Sequence, residues 1–270
     1  MSTYSDRHGV TVHGDGPRTM LLSHGFGCDQ SMFRHLVAAF SADFRVVCYD
    51  LAGMGVYPAE QFTFSRYEHL RGYAQDVIAI CEELGLRDVI HVGHSVSATI
   101  AGLAAVLRPD LFSQLVMIGP SFRYINTGDY FGGFTAQDIE ELLEVMKDNY
   151  VGWSTNLGPA IMGNPERPEL GNGLTQTFCA QDPQIAQFFA RVTFTSDNRA
   201  DLPHIQTPTL VIQCREDIIA PEAVGRYVHD HLPNSEFVLL DARGHCPHMS
   251  APEETIAAIR GFVPSQLQPA

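Results

Sequence analysis

Short apolar runs alternate with segments of helical period along most of the chain. The runs fall at residues 19–23 (TMLLS), 45–49 (RVVCY), 88–93 (DVIHVG), 114–119 (QLVMIG), 209–213 (TLVIQ) and 236–240 (EFVLL). Several are apolar throughout, as strands are when both faces are covered. A shorter run at residues 10–13 reads as the start of an edge hairpin. Residues 67–84 place Leu70, Tyr73, Val77, Ile80, Cys81 and Leu84 on one helical stripe and stop at Gly85. Residues 95–107 are rich in alanine, which lets a helix lie close to a sheet. Two later helical segments, 221–232 and 252–262, open with proline, where a first turn tolerates it. Strands alternating with helices predict an α/β protein with a mostly parallel, doubly wound sheet.

The alternation breaks after Pro120. Up to Arg199 the pattern is helical, with Ile139, Leu142, Leu143, Met146 and Tyr150 on one face of a segment at 138–150. Further helical stretches are predicted around 175–179 and 183–194. The expected organisation is a core of residues 1–120 and 200–270 with a helical cap, 121–199, inserted over the C-terminal edge of the sheet, where open α/β sheets bind ligands. A separate helical domain is the alternative.

Composition narrows the function by exclusion. Lys and Arg number 17 against 31 Asp and Glu, a formal net charge of −14, and no basic cluster offers a face for phosphates. No nucleic-acid partner is expected. No apolar stretch approaches the ~20 residues that a membrane-spanning helix needs, and no charged start precedes an apolar run, so neither a membrane segment nor a signal peptide is expected. Six scattered cysteines without a CxxC pair fit buried free thiols of a reducing, cytoplasmic setting.

Four local patterns carry chemistry. Gly93-His94-Ser95-Val96-Ser97 lies between a strand and a helix, where a tight turn exposes a serine hydroxyl as a nucleophile. Ser97 replaces the usual second glycine, and an ordinary helix N-cap is the bland reading of Ser95. His24-Gly25-Phe26-Gly27 follows an early strand. Together with the residue after the nucleophile, it makes the Phe26 and Val96 amides the expected oxyanion donors; alone it would be a plain turn. His245 follows Gly244 after the last strand and is the expected general base, with His248 as competitor. Asp217, beside its rival Glu216, follows the preceding strand and is the expected acid that orients the imidazole. The order Ser95, Asp217, His245 suits this arrangement. His245 and His248 lack further ligands for a metal, and neither metal nor cofactor is expected. The turn Asp50-Leu51-Ala52-Gly53-Met54-Gly55 is read as structural.

With these residues in place, the chain resembles the α/β-hydrolase fold, and within it the subgroup of the bacterial stress-regulator hydrolase RsbQ and the plant strigolactone and karrikin receptors. The stretches that carry the resemblance are GFGCDQSMF from Gly25, GHSVSA from Gly93, LFSQLVMIGPS from Leu111, NYVGW from Asn149, SDNR from Ser196 and ARGHCPHMS from Ala242. It implies Ser95, Asp217 and His245 as a triad, Phe26 and Val96 as oxyanion donors, and a V-shaped four-helix cap. It also implies a narrow apolar pocket lined by Tyr124, Phe134, Trp153 and Phe194, for which cap packing is the alternative. Leu157 departs from the tyrosine common in the plant receptors. The implied activity is hydrolysis of a small, fairly apolar carboxylic ester or lactone. A ligand sensor that hydrolyses slowly and docks a regulatory protein partner is the second possibility.

Overall fold

The computed structural model describes residues 3–264. Seven strands form one sheet: β1 (Thr11–His13), β2 (Arg18–Ser23), β3 (Phe44–Tyr49), β4 (Val89–His94), β5 (Phe112–Ile118), β6 (Thr209–Glu216) and β7 (Ser235–Arg243). Their spatial order is β1-β3-β2-β4-β5-β6-β7, parallel apart from β1. The run at 10–13 makes no hairpin with β2, because β2 is paired on both sides by β3 and β4; β1 takes the outer edge of β3 instead. β6 and β7 each run three residues past their apolar stretch, held together there by a Glu216–Arg243 pair.

The sheet is covered on both sides. Helices α1 (Tyr4–Arg7), α2 (Arg34–Phe40), α3 (Leu70–Glu83) and α4 (Val96–Leu107) precede β5. α3 buries Leu70, Tyr73, Val77, Ile80 and Cys81, the predicted stripe, while Leu84 caps its end half-buried. α4, of small residues, is buried almost throughout beneath β4 and β5. Between β5 and β6 lie four helices: α5 (Ala136–Asp148), α6 (Tyr150–Met162), α7 (Pro168–Cys179) and α8 (Pro183–Thr195). α9 (Glu222–His231), α10 (Pro247–Ser250) and α11 (Pro252–Phe262) complete the described residues. α6 escapes the sequence pattern because Gly152, Gly158 and Pro159, all helix-weakening, sit inside it. It is nucleated instead by the Asn149 side chain, which accepts from the Gly152 N–H at 2.9 Å.

One apolar cluster runs from Val46, Val92 and Val116 of the sheet into Trp153, Leu174 and Phe178 of the four helices. The four helices thus contribute to an apolar cluster that they share with the sheet. No helix among the described residues is long and apolar enough to cross a membrane. All six cysteines are unpaired and five are buried.

Candidate active site

β4 ends in a turn that only a forced backbone can make. Ser95 sits at φ 57° and ψ −124°, a left-handed region that non-glycine residues rarely occupy, at a cost on the order of 1–3 kcal/mol. The turn is tight enough that a Cβ on Gly93 would come within 2.4 Å of the Ser97 carbonyl. Ser97 is tolerated because its own side chain points elsewhere: its hydroxyl donates to the His24 carbonyl at 2.5 Å, tying the elbow to the HGFG loop. A Cβ on Gly25 would lie 2.5 Å from His94 Nδ1, so the loop can approach Ser95 only without a side chain there.

The strand ends bring three distant residues together. His245 Nε2 is 2.7 Å from Ser95 Oγ, and His245 Nδ1 is 2.7 Å from Asp217 Oδ2. The other Asp217 oxygen accepts from the backbone N–H groups of Ile219 and Ala220 at 2.8 and 3.0 Å. Those bonds fix the carboxylate's orientation and leave one oxygen for the imidazole. The His245 backbone is held from two directions: its N–H donates to Ile161 O of α6 at 2.8 Å, and its carbonyl accepts from His94 Nε2 at 2.8 Å. Donation from Nε2 defines the His94 tautomer, and burial holds the ring's pKa well below its usual value, so it stays neutral. Glu216, the rival acid, is exposed and pairs with Arg243 across the β6–β7 ladder.

Phe26 and Val96 flank the serine, and neither amide N–H has an intramolecular acceptor among the described residues. His24 anchors this loop: the Leu51 N–H donates to its Nε2 at 3.0 Å, so its Nδ1 donates to the Gly25 carbonyl at 2.9 Å. Asp50, in the neighbouring turn, accepts from the Gln30 and Val56 amides and is a strut, as its sequence context suggests. The His248 side chain makes no hydrogen bond among the described residues. Both ring nitrogens are buried without partners, the ring packs against His94 and Phe33, and burial pushes its pKa down to about 3.

Above Ser95 the structure leaves a cavity of about 30 Å³, walled chiefly by Phe26, Tyr124, Leu157, Phe178, Phe194 and Ile219. Of the four aromatic residues proposed for the pocket, Tyr124 and Phe194 line this cavity. Trp153 and Phe134 do not. Trp153 stands one layer back, stacked on Phe178 and Tyr150 and edge-on to Phe26. Phe134 is drawn aside by its backbone, which hydrogen-bonds to Tyr124 and Asn126. Wall residues that the sequence did not assign to the pocket include Leu157, singled out there only for its departure from tyrosine, with Ile161, and Leu174 with Phe178, each pair four apart on one helix face. The i, i+4 spacing of Leu157 with Ile161 and of Leu174 with Phe178 is the signal that could have found them, masked in α6 by Gly152, Gly158 and Pro159. Burial raises the pKa of the Tyr124 phenol, offset in part by the Ser95 hydroxyl that it faces. Cys28 and Cys246 also border the cavity; burial raises their pKa values and keeps them as thiols. Among the described residues no three His, Cys, Asp or Glu side chains gather to hold a metal ion.

Residues 20–258 match the alpha/beta hydrolase family. The chain belongs to that family. Among its relatives, the karrikin insensitive 2 receptor CA of Petunia hybrida is 38% identical over 96% of both chains. The strigolactone esterase D14 of Arabidopsis thaliana is 38% identical, covering 94% of this chain and 96% of its own. A hydrolase from Oleispira antarctica superposes with a TM-score of 0.93 at 40% identity, over 96% of this chain and 95% of that one. The likeness to strigolactone and karrikin receptors read from short motifs thus extends along nearly the whole α/β-hydrolase chain.

Proposed function

We propose that this α/β-hydrolase cleaves a small, fairly apolar carboxylic ester or lactone through an acyl-enzyme on Ser95. His245 takes the proton from the Ser95 hydroxyl as it attacks the carbonyl carbon, and Asp217 keeps the imidazole in the tautomer that can accept it. The Phe26 and Val96 amides receive the oxyanion, each such donor contributing about 3–4 kcal/mol to the transition state. Collapse of the tetrahedral intermediate returns the proton from His245 to the leaving alkoxide. Water, deprotonated by the same imidazole, then releases the acid. In a lactone the leaving alcohol stays tethered to the acyl group. Segment 121–199 serves as the cap that keeps bulk water from the cavity, and the free cysteines support a cytoplasmic setting.

The observation that carries this reading is the unbroken relay from Asp217 through His245 to Ser95, with both contacts at 2.7 Å. Ser95→Ala is expected to abolish turnover of p-nitrophenyl acetate, and intact-mass analysis of the parent protein to find an acyl adduct on Ser95. Undiminished turnover by the variant would overturn the assignment.

A second reading rests on the names of relatives, one called a receptor and another an esterase. In it the protein is a sensor whose slow hydrolysis reports a bound ligand to a protein partner docked on the cap. Ligand-dependent association of a partner with the Ser95→Ala variant would favour it over plain metabolism.

A further inference from the structure

The cavity above Ser95 is an order of magnitude too small for its proposed task. At about 30 Å³ it has room for one water, whereas pockets that bury small ligands measure roughly 300–1,000 Å³. Immediately beside it, between the chain at Cys28–Arg34 and helix α7, runs a groove of about 360 Å³. Cavity and groove share two walls, Cys28 and Leu174. On the groove side the floor is mixed: Met32, Leu174 and Met249 are apolar, while Asp29, Arg34 and Gln176 face water. The groove is open at Gly173, where an added Cβ would meet nothing within 4 Å.

We propose that this groove is a second substrate subsite, taking the acyl arm of esters too long for the cavity, with the Leu174 side chain as the partition that swings aside. The assignment rests on the serine-hydrolase reading above. The acyl group is the arm that stays covalently attached after the leaving alcohol departs, so it alone needs a lasting place. An aliphatic chain of mixed environment, apolar near the carbonyl and hydrated at its far end, fits the change in lining from Leu174 and Met249 to Asp29 and Arg34. Rotation of one leucine merges the two spaces to an ordinary pocket size without moving the Ser95, Asp217 and His245 backbones.

The test compares kcat/KM for p-nitrophenyl acetate and p-nitrophenyl octanoate in three variants. Gly173→Phe places a ring in the groove at a helical position with free space, away from the cavity. It is expected to lower octanoate turnover about tenfold and to leave acetate unchanged. Leu174→Ala removes the partition and is expected to raise the octanoate-to-acetate ratio by about the same factor. Equal effects on both esters in Gly173→Phe, no effect on either, or absence of octanoate turnover in both the parent and Leu174→Ala would overturn the subsite. Ser95→Ala separates the two ideas. If it abolishes acetate hydrolysis while Gly173→Phe leaves the chain-length profile untouched, the groove assignment falls and the serine chemistry stands; if Ser95→Ala hydrolyses acetate normally, the chemistry itself falls.

Discussion

The sheet and the four-helix insertion hold the site by different physics. At the C-terminal ends of the strands, Ser95 and Asp217 follow β4 and β6, each paired on both sides, and His245 follows the edge strand β7, paired with β6; β4 is buried at all six positions. Polar groups there are fixed by short, directional bonds: Asp217 by two amides, His245 by its own backbone bonds, His24 by Leu51. The insertion meets the site with aromatic faces instead. Phe26 touches Trp153, Phe178, Phe189 and Phe194 at ring distances of 5.7–6.2 Å, with tilts from 37° to 81°. Directional bonds allow one arrangement, whereas ring packing allows several of similar energy. We infer that the sheet sets which reaction occurs and the insertion sets which molecule fits.

The sharpest way to break that division is to damage each side alone. Asp217→Asn, which leaves the His245 ring in the wrong tautomer, is expected to lower kcat about 10⁴-fold with little change in urea midpoint. Phe178→Ala, in the insertion, is expected to cost about 3–5 kcal/mol of stability by leaving a cavity, yet to lower kcat for acetate far less than Asp217→Asn does. Steady-state kinetics and urea titrations on both variants decide the matter. Comparable losses of kcat would mean that the insertion also governs the chemistry.

A smaller effect belongs to the sheet side. Burial pushes the pKa values of His91 and His248 down to about 3, so both rings stay neutral in the fold while an unfolded chain binds protons near the ordinary value of about 6.5. Their contribution to stability is therefore complete above that unfolded value and is lost as pH falls from there toward 3. Each ring should steepen the fall by about 1.4 kcal/mol per pH unit. Urea midpoints at about pH 7.5, 6.5 and 5.5 should decline with acidity. His91→Phe, which keeps the stacking on Phe112, should flatten the decline by one ring's share.

The same contrast governs what could be read from the chain. Ser95, Asp217 and His245 were legible because each follows an apolar run and lies in a short local pattern, and because strand ends must converge in a parallel sheet. The strands themselves were legible from continuous apolarity, except at the β6 and β7 ends, where Arg215, Glu216, Asp241 and Arg243 interrupt the apolar run although the pairing continues. The pocket was only half legible. Tyr124 and Trp153 look alike in sequence, and only packing decides that one reaches Ser95 while the other backs Phe178. α6 was hidden by Pro159 and two glycines, and with it went the place of Leu157 and Ile161 in the cavity wall. The partner of β1 was out of reach for another reason: local pattern favours a neighbour in sequence, but β2 had no free edge.

The finest probe of the comparison is a single oxygen in the insertion. Tyr150 donates its hydroxyl to the Phe178 carbonyl at 2.7 Å, and its ring stacks on Trp153, which in turn stacks on Phe178. This directional bond ties α6 to α7 at the aromatic wall, so it should act as a stay on an otherwise slippery stack. Tyr150→Phe keeps the ring and removes the bond. Because the Phe178 carbonyl retains the Gln181 amide as a donor, no buried acceptor is stranded, and the expected loss is about 1 kcal/mol in urea unfolding. If the insertion sets fit rather than chemistry, kcat for acetate should stay at the parent value while KM for bulkier esters shifts as the Phe178 ring gains freedom. A fall in kcat with KM unchanged would tie the wall to the proton relay and erase the distinction between the two regions.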